Sequence, residues 1–85
     1  MLSRSKEKMI KVGQLYRTAS GDFVAVLALS KPTGKKAKIA HSYKGRRYVV
    51  DTSSLKKLEL VEEFKTKLMV LNSKEWLNAV THSKF

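Results

Sequence analysis

Seven consecutive apolar residues, Phe23-Val24-Ala25-Val26-Leu27-Ala28-Leu29, constrain this chain more than any other feature. The run lies between two turn signals, Ser20-Gly21-Asp22 and Ser30-Lys31-Pro32-Thr33-Gly34. In the second, Pro32 presets φ and Gly34 permits φ > 0. A short run that is apolar on both faces, with β-branched residues and flanking turns, predicts a central strand buried on both sides. The chain has 85 residues, enough for one domain with a small core. Its hydrophobic content of 42% supports such a core and is not the composition of a disordered chain.

The elements around that strand are short. Val12-Gly13-Gln14-Leu15-Tyr16-Arg17-Thr18 reads as a turn followed by a strand. Residues 36–43 alternate, with Ala37, Ile39, His41 and Tyr43 on one face and Lys36, Lys38, Ala40 and Ser42 on the other. Lys44-Gly45 marks a tight turn. In the strand that follows, Tyr48 and Val50 oppose Arg47 and Val49. Asp51-Thr52-Ser53-Ser54 ends that strand, Leu55-Lys56-Lys57 suits one helical turn, and Leu58–Val61 alternates as a fifth strand. Val61, Phe64, Leu68 and Leu71 then fall at helical spacing, with Glu59, Glu62 and Glu63 as a solvated helix start. Asn72-Ser73 offers an N-cap for a second helix over 74–80 that carries Trp76, Leu77 and Val80. Residues 67–71 could also form a strand; helix is the reading preferred here. The expected fold is mostly β, a small five-stranded barrel or curled sheet followed by one or two short helices. Trp76 is expected to plug the barrel rather than to touch a ligand.

The charge pattern points to a partner. Of the 18 lysines and arginines, seven lie between residues 31 and 50, where no acid occurs: Lys31, Lys35, Lys36, Lys38, Lys44, Arg46 and Arg47. Counting Asp51, residues 31–55 hold seven basic groups against one acid, so +6 of the net +11 falls in this stretch. Charge set on strands makes a fixed cationic surface suited to a polyanion. Like charges directly opposite one another would carry a small folding cost, which a bound polyanion would relieve. The alternative is a solvated sheet edge kept from aggregating by lysine. Lysine offers phosphate a mobile point charge, whereas Arg46 and Arg47 can bind it bidentately. Beside Gly45, either arginine could also enter a narrow minor groove. Tyr43 and Tyr48 interleave with these cations; core packing is the default for both, and stacking on unpaired bases the alternative.

Four segments resemble the SH3-like barrel in its Tudor and KOW branch. Val12–Tyr16 resembles the opening strand, Phe23–Leu29 the second, and Ala37–Tyr43 the third. Tyr48–Val50 with Asp51–Leu55 resembles the fourth strand and its helical turn. The resemblance covers residues 11–61. The expected layout is a flexible basic N-terminus over 1–10, a barrel over 11–61 and a helical extension over 62–85 packed on it. The resemblance implies a binding module associated with nucleic acid or chromatin. Short basic barrels of this kind occur among bacteriophage proteins that act on the host nucleoid or transcription machinery. Ala25-Val26-Leu27 departs from the KOW pattern by standing where a glycine is expected. Tyr16, Phe23, Tyr43 and Tyr48 could supply the aromatic cage of a Tudor domain, but no acidic partner for one is evident.

Catalytic signatures are absent from the sequence. Lys31–Lys36 contains Gly-Lys but not the earlier glycine or following Ser/Thr of a phosphate loop. His41 and His82 have no second ligand at metal spacing, and there is no cysteine. No enzyme activity, cofactor, metal or small-molecule substrate is expected. Without cysteine, signal peptide or a spanning run, the expected setting is cytoplasmic, beside the nucleoid if DNA is bound. Residues 1–9 are polar and basic and predict a frayed N-terminus, with Met9 available as an alternative start. The expected function is nucleic-acid binding through the basic hairpin, DNA ahead of RNA, with little sequence preference. An acidic partner protein or a ribosomal RNA role is the alternative. A membrane partner is not expected, because Glu62, Glu63 and Glu75 mix with the lysines of the helical tail.

Overall fold

The computed structural model describes residues 9–31 and 33–81. The expectations for residues 1–8, Pro32 and His82 lie outside them. Five strands form one antiparallel sheet: β1 (Gln14–Arg17), β2 (Phe23–Leu29), β3 (Lys36–His41), β4 (Arg47–Asp51) and β5 (Glu59–Glu63). A 3₁₀ turn (Tyr43–Gly45) joins β3 to β4, and one helical turn, α1 (Thr52–Leu55), joins β4 to β5. The short helices α2 (Lys67–Leu71) and α3 (Lys74–Thr81) follow. The strand order is β4-β3-β2-β1-β5, so β2 lies in the middle and β4 and β5 form the edges.

Strand β2 has the limits its apolar run predicts, and Val24, Ala25, Val26 and Leu27 are buried. Its two faces feed two cores. Val24 and Val26 pack with Tyr16, Ala37, Ile39 and Leu55, so α1 covers that face. Ala25 and Leu27 pack with Leu15, Ala40, Val70 and Trp76, so α2 and α3 cover the other. Trp76 is buried, as expected, but it packs on the sheet face opposite the one that Leu55 covers. The register slips between Val26 and Ala28, leaving Leu27 as an extra residue. Beyond this bulge Leu29 joins the face of Val26, and Ala28 sits opposite Lys38.

The tail departs from its expected layout. Val61, Glu62 and Glu63 belong to β5 and not to a helix, and Glu59 also lies in that strand. Helix α2 begins only at Lys67, where the Thr66 hydroxyl accepts from the Met69 amide at 3.1 Å. Residues 67–71 are helical, the preferred of the two readings. Between β5 and α2 the chain passes close to Gly13. A Cβ there would lie 2.3 Å from the Phe64 carbonyl oxygen, and φ is +94°, so this crossing accepts glycine alone.

Candidate nucleic-acid interface

The β3–β4 register decides where the cations go. Lys36 opposes Asp51, Lys38 opposes Val49, and Ala40 opposes Arg47. Opposed residues share a face, so Lys36, Lys38, Arg47, Val49 and Asp51 lie on one side of the hairpin. This is the side on which Ala40 meets the α2–α3 core. The helices leave Lys38, Arg47 and Val49 exposed. No cation of the hairpin faces another directly, so the expected like-charge folding cost does not arise there. Lys36 Nζ lies 2.8 Å from Asp51 Oδ1. This pair is exposed and contributes about 0–1 kcal/mol. Lys38, Arg46 and Arg47 form no ion pair among the described residues.

The hairpin tip is held from behind. The buried Ser42 hydroxyl accepts from the Phe23 amide at 2.9 Å, and the Ser42 amide donates to the Phe23 carbonyl at 2.8 Å. Gly45 turns the chain at φ 61°, and the His41 amide donates to the Arg46 carbonyl at 2.6 Å. Lys44 sits in this turn. Tyr43 leaves the strand with the 3₁₀ turn, and Tyr48 lies on the edge strand opposite Ile39. Both were expected in the core, yet they are 45% and 42% exposed. Alternation alone assigned Tyr43 to the Ile39 face, but the chain has left the sheet by residue 42. His41 accepts from the Tyr43 amide at Nδ1 (3.1 Å), and Tyr48 meets its ring edge-on at 6.2 Å.

Lys31 and Lys35 lie at the far end of the sheet, in the β2–β3 connection. There the Thr52 amide and hydroxyl donate to the Lys35 carbonyl at 2.9 and 3.1 Å. This contact sets α1 beside the connection, and Lys56 joins Lys31 and Lys35 along an open groove of about 770 Å³. Its floor is apolar, with Ile10, Leu27 and Leu29. The predicted residues therefore fall into three groups: a sheet face (Lys36, Lys38, Arg47), a tip (Tyr43, Lys44, Arg46, Tyr48) and a groove (Lys31, Lys35). Sequence reasoning missed Lys56 and Val49. Lys56 could have been found from its place in the turn linking β4 to β5. Val49 has the sequence pattern of an ordinary strand residue, but it is 65% exposed amid the cations.

Acidic groups gather at the opposite edge. Glu59, Glu62 and Glu63 lie on β5, four strand spacings or ~19 Å from β4 along the sheet. Arg17 Nη2 pairs with Glu59 Oε1 at 2.8 Å. The Gln14 amide group donates to Glu63 at 2.7 Å and accepts from the buried Tyr16 hydroxyl at 2.7 Å. Burial, and secondarily the Glu63 charge, push the Tyr16 hydroxyl up to about 12. Among the described residues no group of three or more His, Cys, Asp or Glu side chains could hold a metal ion, and no helix is long and apolar enough to cross a membrane.

No protein-family model, curated protein or solved structure matches the chain.

Proposed function

We propose that the chain is a non-enzymatic nucleic-acid-binding module that holds duplex DNA with little sequence preference. One observation carries this reading: the β3–β4 register gathers Lys36, Lys38 and Arg47 on one open face while the acids of β5 lie at the other edge of the sheet. A surface divided in this way orients the molecule on a polyanion before contact. Its lysines neutralise phosphates and release counterions, and Arg47 adds bidentate contacts. Such contacts position the protein without reading bases. Lys31, Lys35 and Lys56 form a second cationic patch along the groove beside α1. The likeness of residues 11–61 to the Tudor and KOW barrels belongs to the same proposal, as does a place beside the nucleoid. Charge reversal of Lys36, Lys38, Arg46 and Arg47 to glutamate should abolish duplex binding in a gel shift. The far-UV circular dichroism should be unchanged, because all four side chains are exposed. Retained binding by the folded variant would remove this reading.

Val49 favours a second reading, an acidic partner protein. An apolar residue 65% exposed at the centre of a cationic face suits a protein surface better than a phosphate backbone. Capture of a partner by the immobilised chain after nuclease treatment, lost in Val49→Glu, would support it. Loss of all capture with nuclease would return the case to nucleic acid.

A further inference from the structure

We infer that the tip of the β3–β4 hairpin is a stacking site for unpaired bases, with Tyr43 and Tyr48 as its platforms. This rests on reading the neighbouring face as a phosphate surface, and it goes further by naming the strand state recognised. Tyr43 and Tyr48 are 45% and 42% exposed, so both offer ring surface to a ligand. The backbone that carries Tyr43 and the ring of Tyr48 are also held in place. Ser42 ties the turn to Phe23 through two hydrogen bonds, and the Tyr43 amide holds His41 Nδ1 at 3.1 Å. Tyr48 packs edge-on against that imidazole at 6.2 Å, which leaves its orientation set before any ligand arrives. A preorganised ring such as Tyr48 loses little freedom when a base covers it.

The charges beside these rings suit a single strand. Arg46 follows the turn and by alternation shares the Tyr48 side of the hairpin, exposed and without an ion pair among the described residues, whereas Arg47 lies on the other face with Lys38. The Arg46 guanidinium can hold a phosphate beside a stacked base, as single-strand grooves do. On one flank Asp22 and Glu75 line a shallow groove beside Ser42 and turn phosphate away. The strand is thereby directed toward β4. A base inside an intact duplex cannot reach these rings, whereas one in an overhang, a gap or a melted step can. The cationic sheet face alone would not tell these substrates apart.

The test compares a blunt DNA duplex with the same duplex carrying a short thymidine overhang. We expect the overhang to tighten binding by roughly tenfold, the scale of one stacked base. Tyr43→Ala and Tyr48→Ala should each remove most of that gain, so that the blunt and overhang duplexes bind the variant alike. Tyr43→Phe and Tyr48→Phe should preserve it, since the ring and not the hydroxyl stacks; circular dichroism confirms that each variant is folded. Blunt binding with no overhang gain, a gain that survives both alanine variants, or a gain lost in the phenylalanine variants would overturn the stacking site alone. Failure of the wild-type chain to bind either duplex would overturn the phosphate reading with it.

Discussion

Tyr16 shows how one side chain can record the state of the sheet. Its ring is fully buried beside Val24, and its hydroxyl donates to Gln14, which in turn donates to Glu63. Burial raises its pKa from 10.0 to about 12, and the Glu63 charge adds to the shift. The neutral phenol is therefore favoured in the folded chain. Below pH 10 this contribution is fully present. Above it the unfolded chain loses its proton while the folded chain keeps it, so stability falls as pH climbs toward 12. The loss across this window is about 2–3 kcal/mol. Urea titrations of the wild type and Tyr16→Phe between pH 9 and 12 should show the wild type losing this amount more than the variant. Parallel curves would mean that the phenol ionises as freely in the fold as in solution.

At the scale of elements, the legible parts were those whose local pattern and tertiary setting agree. Strand β2 was readable because turns bound it and both of its faces are buried. Helix α3 was readable because Ser73 caps it: the hydroxyl accepts from the Trp76 amide at 3.3 Å and donates to the Val70 carbonyl at 2.6 Å. Ser73→Ala should lower stability by about 1–2 kcal/mol, a fall of several degrees in melting temperature for a domain of this size. No change would mean that the packing of Trp76 alone orients the helix. The misread tail has an equally local cause. Val61 stands at helical spacing from Phe64 and Leu68, but it is the extra residue of a bulge between Leu60 and Glu62 in β5. Period counting cannot detect that. The exposure of Tyr48 was hidden for a different reason: alternation gives its face but not that its strand is an edge. The hairpin register was equally out of reach, because the connection from His41 to Arg47 permits several pairings. The opposition of Lys38 to Val49 therefore had to come from the structure.

For the whole molecule, the separation of charge across the sheet matters most. Basic groups occupy β3, β4 and the β2–β3 connection, with Asp51 on β4, and three acids occupy β5, which Lys57 and Lys65 flank. The sequence showed the basic cluster but not its distance from the acids, which depends on β5 pairing with β1 and not with β4. Among the described residues, Lys36 is the hairpin cation engaged by a carboxylate, through an exposed pair that phosphate can displace at small cost. The salt dependence of duplex affinity tests this arrangement most directly. With about five phosphates neutralised, log K should fall with log salt at a slope of roughly −4 to −5. A slope near zero would contradict a cationic face built for a polyanion.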